Sequence, residues 1–125
     1  MAWQNPTPLR PAVKSSTDLS AYQYHFVVLD ASARAALPPS RGSIVDGVLQ
    51  DKPLKAGDQA AVATSAQPKV VAGEIIAAGQ YVGADTEGRA IVAQIGEWAA
   101  GRALSDASLD QFVTVHLHPY GRIEE

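Results

Sequence analysis

The feature that most constrains this chain is the regular alternation of short β-type segments with turn residues. The first such segment, 22–29, reads Tyr-Gln-Tyr-His-Phe-Val-Val-Leu and is rich in aromatic and β-branched residues. The last, 111–118, alternates Val113, Val115 and Leu117 with residues of the other face. Gly, Pro and Asp separate the segments at intervals of about 8 to 12 residues. This spacing predicts a mainly β domain, either a small β-barrel or a β-sandwich.

The same pattern predicts further strands between these two segments. They cover 43–50, 59–64, 69–71, 79–82, 89–93 and 97–104. The segment 31–42, with its double proline, is predicted as a loop, and 73–78 allows at most one short helix. The segments 54–62 and 76–84 both place Ala-Gly and a polar residue before a strand, which is typical of one turn type used twice.

Residues 1–20 differ from the rest of the chain because they are rich in proline. Proline fixes the backbone angle φ and pushes the preceding residue towards extended geometry. The segment also contains Trp3, a large apolar side chain of the kind that anchors protein interfaces. We therefore predict an extended N-terminal arm over 1–20, a β-rich domain over 21–118 and a polar C-terminal tail over 119–125. A disordered N-terminal segment is the alternative to the arm.

Composition and charge exclude several classes of protein. Without cysteine, the chain has no disulfide, no thiolate zinc site and no cysteine nucleophile. A net charge of −3 argues against general binding to nucleic acid or to anionic membranes. The N-terminus lacks the apolar stretch of a secretory signal, and the nearly uncharged run 75–84 is too short to span a bilayer. With only 6% aromatic residues, the core is expected to be built from small side chains.

Candidate chemical groups are sparse. His116 and His118 project from one face of a strand and, with Asp110, resemble part of a zinc site, but a third ligand at diagnostic spacing is missing. His25, in an apolar strand, is expected to be a hydrogen-bonded structural residue. No nucleophile motif and no phosphate-binding glycine motif occurs. We predict that the protein is not an enzyme and holds no metal or cofactor. One alternative is a carrier domain with a modified Lys52 in its Asp-Lys turn.

Taken in order, several segments resemble one family. They are 18–30, Gly-Val-Leu-Gln-Asp-Lys-Pro at 47–53, Ala-Gly-Asp-Gln-Ala-Ala-Val-Ala at 56–63, 69–85, Gly-Arg-Ala-Leu at 101–104 and Val-Thr-Val-His-Leu at 113–117. Together they resemble the capsid decoration, or cement, proteins of tailed bacteriophages. The chain departs from that pattern in the loop 31–41 and in the proline-rich arm.

The resemblance implies a structural virion protein that lies on the outer surface of a phage head after assembly in the host cytoplasm. It implies a homotrimer that clamps neighbouring subunits of the major capsid protein, without binding nucleic acid or membrane. We expect the arm to contact the capsid by strand addition. The capsid-contact candidates are Trp3, Leu9, Arg10 and Val13, and the subunit-interface candidates are Trp98 and Arg102. The alternatives are a core position for Trp98 and a solvated strand charge for Arg102. Another β-rich virion component, such as a tail-tube or head-fibre part, remains an alternative.

Overall fold

Two five-stranded β-sheets form the regular structure of residues 13–124, the part of the chain that the computed structural model describes. The strands are β1 (Lys14–Ser15), β2 (Phe26–Leu29), β3 (Arg34–Ala36), β4 (Gly47–Leu49), β5 (Val62–Ala63), β6 (Lys69–Val71), β7 (Tyr81–Ala84), β8 (Ala90–Val92), β9 (Trp98–Ala103) and β10 (Phe112–Arg122). No helix occurs among the described residues. The prediction of a mainly β fold is confirmed.

The first sheet has the strand order β1-β3-β2-β4-β5. Strand β1 runs parallel to β3, and the remaining neighbours are antiparallel. A bridge between Lys14 and Gln59 connects β1 to the segment that leads into β5. On either side of this bridge, the amide of Ala60 donates to Val13 O at 2.9 Å and the amide of Ser15 donates to Asp58 O at 2.8 Å. The two edges of the sheet are therefore brought together, and the sheet is curled.

The second sheet has the order β6-β10-β9-β7-β8, with every pair antiparallel. Its edges also meet, because Ala72, directly after β6, forms a bridge with Ala90 of β8. The amide of Gly73 donates to Ala90 O at 2.7 Å at the same point. The long central strands β9 and β10 thus form one wall of a small, barrel-like sheet.

The main core lies between the two sheets. Phe26 and Val48 of the first sheet pack with Val70, Val82 and Val115 of the second, and all five are fully buried. A second cluster lies on the other side of the first sheet and consists of Val13, Leu19, Val27, Ala35, Leu49, Ala60 and Val62. Most of these side chains are Ala and Val, as the composition predicts. Burial of apolar surface at roughly 25 cal/mol per Å² is the main force that holds the sheets together.

Residues 13–20, which the sequence analysis assigns to the arm, belong to the folded domain: Lys14–Ser15 form β1, and Val13 and Leu19 pack in the core beside the first sheet. Val13, Ser15 and Leu19 are all buried, with exposures of 2%, 0% and 0%. The amide of Leu19 also donates to Pro53 O at 3.0 Å. An apolar residue at 13 and another at 19 gain more from the core than from solvent, so the folded part begins before residue 20. The earlier residues, 1–12, lie outside the described part of the chain.

One local prediction is wrong. The predicted loop 31–42 contains β3, because the Asp30 carboxylate accepts hydrogen bonds from the amides of Ser32 and Arg34 and so closes a tight hairpin after β2. The short helix that the sequence allows over 73–78 does not form. Instead, the amides and carbonyls of Ile76 and Ala107 exchange hydrogen bonds of 2.8 and 2.9 Å, which pair two extended loops.

Strand β10 continues to Arg122, past the predicted limit of the domain at residue 118. The amide of Gly96 donates to Ile123 O and the amide of Ile123 donates to Glu97 O, each at 2.8 Å. The segment after residue 118 is polar in sequence, but its backbone pairs with the start of β9. Backbone pairing is independent of side-chain polarity, which is why composition alone does not locate the end of this strand.

One turn type recurs at least three times. Gly57, Gly79 and Asp110 all have positive φ, at 89°, 95° and 66°, and each precedes a residue whose amide closes the turn. The first two positions are the pair that the sequence analysis predicts. The third was missed because Asp replaces Gly there, although Asp tolerates the left-handed conformation better than most residues.

Candidate functional site

Strand β9 presents one buried face and one outward face. Ala99, Gly101 and Ala103 are buried, whereas Trp98 and Arg102 are exposed on the opposite side. A Cβ atom on Gly101 would overlap the His116 carbonyl oxygen, so glycine is what allows β9 and β10 to approach closely there. The alternation therefore fixes both interface candidates of the sequence analysis on the same outward face.

Arg102 lies at the centre of a row that crosses three strands. It pairs in register with Tyr81 of β7 on one side and with His116 of β10 on the other. Its Nε donates to Gly79 O at 3.1 Å, which holds the guanidinium group beside the turn that precedes β7. Tyr81 is 44% exposed, so the row contains a phenol ring, a guanidinium group and an imidazole, all accessible from solvent.

The row extends towards the end of β10. The rings of His116 and His118 stack with centroids 6.2 Å apart and an angle of 14° between their planes. We call the set Tyr81, Trp98, Arg102, His116 and His118 the β9 face. None of these five side chains is acidic, and Trp, Tyr and Arg are the residue types most enriched at the centre of protein interfaces.

Trp98 stands beside an irregularity in the sheet. The register of β9 and β10 shifts between Leu117 and Gly121, where Pro119 supplies no amide hydrogen to the ladder. A cavity of about 400 Å³ opens at this shift. Its lining includes Val45, Gly47, Thr64, Trp98, Ala99, Leu117 and His118. The bulge thus provides a mainly apolar recess next to a tryptophan that is 39% exposed.

The backbone holds Trp98 against the other sheet. Its amide donates to Gly42 O at 3.0 Å, and the amide of Gly42 donates to Ala84 O at 2.9 Å. Beyond Trp98, a wider groove of about 870 Å³ passes Leu37 and Ile44 and reaches Arg122. Exposed Trp98 therefore stands between two recesses on a fixed backbone, an arrangement suited to packing against another protein.

The groups considered for other chemistry do not assemble into a site. No group of three or more His, Cys, Asp and Glu side chains is close enough to hold a metal ion within residues 13–124. His25 is buried and its Nδ1 lies 2.6 Å from Glu87 O, so it joins the two sheets as a structural residue. Lys52 is exposed, and the neighbouring Asp51 carboxylate accepts the Ala61 amide at 3.1 Å. No described helix is long and apolar enough to cross a membrane.

The structure separates the six candidate residues into three groups. Trp98 and Arg102 share the β9 face. Val13 is 2% exposed and belongs to the core of the first sheet. Trp3, Leu9 and Arg10 lie outside the described residues. Sequence reasoning missed Tyr81 and considered the two histidines only as zinc ligands or as polar-face residues, because the pairing of β7, β9 and β10 is needed to bring them to Arg102.

The fold and the site define a small all-β domain of two curled sheets with an exposed aromatic and basic sheet face. No protein-family model matches the sequence, and no curated protein does. Among solved structures, the fold is similar to that of the head fiber gp8.5 N base in bacteriophage phi29, with a TM-score of 0.68. The likeness covers 90% of this chain and 95% of that chain at 19% sequence identity. At this identity the comparison shows the shared fold.

Proposed function

We propose that this chain is a structural virion protein, without enzymatic activity, that binds the outer surface of a phage head as a homotrimer. The observation that carries the proposal is the extent of the fold similarity: 90% of the chain matches 95% of a phage head fiber base. The segments of 18–118, taken in their order along the sequence, also resemble phage decoration proteins. This resemblance independently supports a location on the phage head. Both lines of support favour a position on the outside of the capsid shell.

Two roles on the head fit these observations. A cement protein clamps neighbouring subunits of the major capsid protein and stabilises the head against internal pressure. A fibre base instead anchors a projecting structure to the head. The resemblance in sequence favours the first role, and the likeness in fold to a fiber base favours the second. Both require a surface for the capsid and, in a trimer, a surface for the neighbouring copy.

We assign these two surfaces to different parts of the chain. Trp3, Leu9 and Arg10 of the N-terminal segment contact the major capsid protein in this proposal. Trp98 and Arg102 of the β9 face contact the neighbouring copy. Val13 is left out of the capsid contact because its side chain is packed in the core of its own chain. Three copies of a weak capsid-binding segment would bind far more tightly than one, because linked sites raise the effective concentration.

Co-sedimentation with purified, expanded heads of the phage that encodes the chain tests this function. We expect the full chain to sediment with the heads at a fixed ratio to the major capsid protein and to saturate. Heads that carry the protein should retain DNA at a higher temperature if the role is clamping, and at an unchanged temperature if it is anchoring. Failure to sediment with heads at any concentration tested would contradict the proposal. An intact mass that shows an added group on Lys52 would instead favour the carrier alternative.

A further inference from the structure

The symmetry of a trimer restricts how the β9 face can be used. A contact between the same two patches on both partners has twofold symmetry and produces dimers. A ring of three copies needs a contact between two different patches of the chain. The homotrimer of the proposed function, on which this inference rests, therefore requires a second surface that complements the β9 face.

Charge leads to the same requirement. The β9 face contains the cationic Arg102, two imidazoles and no acidic side chain. Packing this face against its own copy would place Arg102 against a surface without a carboxylate to pair with it. Like charges brought together at an interface are unfavourable, whereas opposite charges direct the correct contact. The complementary patch should therefore be both apolar and acidic.

The exposed apolar side chains limit where this complementary patch can lie. Leu54 is 69% exposed, but it lies between Lys52 and Lys55 in sequence. Ile44, 59% exposed, lines the same grooves as Trp98 and so belongs to the surroundings of the β9 face itself. Phe112 is covered on one side by Tyr24 and Lys69. The remaining large candidates include Ile75 and Leu109, which are 78% and 55% exposed.

Ile75 and Leu109 lie on two loops that the fold pairs with each other. The pairing of Ile76 with Ala107 aligns the two loops that carry them, and a shallow recess of about 350 Å³ lies between these loops. These two loops carry two exposed apolar residues and three acidic ones. We call the set of Glu74, Ile75, Asp106, Leu109 and Asp110 the loop-tip patch.

The carboxylates of this patch are only partly engaged within the chain. Asp106 accepts the amide of Ala78 at 2.8 Å, and Glu74 accepts the amide of Val92 at 3.4 Å, both backbone contacts that leave the negative charge in place. Asp110 is exposed. The segments 74–80 and 104–111 contain no Lys or Arg. Of the two arginines beside the first of these loops, Arg89 already pairs with Asp85 at 2.9 Å, and Arg102 reaches the loop at the carbonyl of Gly79.

We propose that the loop-tip patch of one copy packs on the β9 face of the next copy and closes a ring of three. Ile75 and Leu109 would cover Trp98 and Tyr81, and the acidic side chains would pair with Arg102. The two patches also share a border, since Arg102 Nε donates to Gly79 O at 3.1 Å in the loop that follows Ile75. In a closed ring of three compact subunits, the two contact surfaces of each subunit both border the symmetry axis. The two patches of one chain must therefore lie next to each other, as they do here.

Charge reversal tests this contact in the absence of heads. Sedimentation equilibrium would compare the wild-type chain with Arg102→Glu, Asp110→Lys and the double variant. We expect each single reversal to weaken self-association at least tenfold and the double variant to recover to within about threefold of wild type. Lys55→Glu changes the net charge as much as Arg102→Glu does, but on the Leu54 loop, and should leave self-association unchanged. Asp110→Lys also places lysine at a positive φ of 66°, which strains the backbone. Asp110→Asn removes the charge without this strain, because Asn tolerates a positive φ, and so shows the effect of the charge by itself.

The outcomes separate this inference from the proposed function. Single variants that trimerise like wild type, or a double variant no better than the singles, would overturn the proposed contact. A wild-type chain that stays monomeric at all concentrations would overturn it as well. Head binding is measured separately by co-sedimentation, so a monomer that still binds heads would leave the head-surface function standing. A variant whose thermal unfolding midpoint falls by more than a few degrees would be replaced by Trp98→Ala, which removes apolar contact area instead of charge.

Discussion

The amide of Phe26 donates a hydrogen bond of 2.6 Å to the carbonyl of Gly88, and this bond links a core strand of the first sheet to the β7–β8 turn of the second. Gly88 has a φ of +77°, and a Cβ atom there would overlap the Phe26 carbonyl oxygen and approach the Cβ of His25 at 3.1 Å. The contact between the sheets therefore requires glycine at position 88 for two reasons, its conformation and the lack of space.

Gly88→Ala should destabilise the protein strongly, by about 3 to 5 kcal/mol, because the backbone of both sheets must move to admit the new atom. Gly57→Ala is the matched control. Its φ is also positive, at +89°, but nothing lies within 4 Å of the added Cβ. That variant should lose only the conformational term of about 1 to 2 kcal/mol. Urea unfolding measures both, and equal losses would show that space at Gly88 is unimportant.

Ala33→Gly should stabilise the β2–β3 hairpin. Ala33 has a φ of +58°, a conformation that costs an L-residue about 1 to 2 kcal/mol and glycine very little. Glycine loses more conformational entropy than alanine on folding, and this cost offsets part of the benefit. The net gain in the free energy of unfolding is up to about 1 kcal/mol. Ala31→Gly, in the same exposed turn but without positive φ, should instead cost about 0.5 kcal/mol. A thermal melt that ranks the two variants in the opposite order would contradict this account.

Two N-terminal deletions should behave differently. Removal of residues 2–12 leaves β1 in place, so we expect cooperative unfolding to persist while binding to heads is lost. Removal of residues 2–17 also deletes Val13 and Ser15, which are buried and paired with 58–60 of the first sheet. That variant should be several kcal/mol less stable. Circular dichroism melts and head co-sedimentation report the two effects. Full head binding by the shorter deletion would remove Trp3, Leu9 and Arg10 from the capsid contact.

Acid titration should report on the Asp18–Ser20 turn. The side-chain hydroxyl and the backbone amide of Ser20 donate to the Asp18 carboxylate and hold its pKa below the ordinary value for Asp. A lowered folded-state pKa adds stability above the ordinary pKa, and this stability is lost as the pH falls through the folded-state pKa. Ser20→Ala should move the pKa of Asp18 back towards its ordinary value in an NMR titration. Thr17→Ala should not, and an unchanged titration in Ser20→Ala would refute the assignment.

The sequence predicts most strands because their apolar residues alternate or cluster between strong turn residues. The segments around Phe26, Val48, Val70 and Val113 all become strands where the pattern indicates them. Strand β3 was missed because Arg34-Ala-Ala has low β propensity, and its position depends on a turn that Asp30 closes. Hydrogen bonding by one side chain at the start of that hairpin outweighs the propensity of the three residues that follow.

Only part of the candidate site can be predicted from the sequence. The period of two in 98–103 is enough to place Trp98 and Arg102 on one face of a strand. It does not show which residues lie beside them, because Tyr81 and His116 are 21 and 14 positions away and reach Arg102 only through strand register. Likewise, the loops that carry Ile75 and Leu109 come together through the pairing of Ile76 with Ala107, and no local pattern in the sequence indicates that pairing.

The bridges at Lys14–Gln59 and Ala72–Ala90, which bring together the edges of each sheet, have a consequence for behaviour at high concentration. An open edge strand is a template on which another chain can add its own strand, and this is the first step of many aggregation reactions. A sheet whose edges are already joined offers few unpaired backbone groups for that addition. Copies of the part described, residues 13–124, are therefore expected to associate through their side-chain surfaces rather than by strand addition when they are crowded side by side.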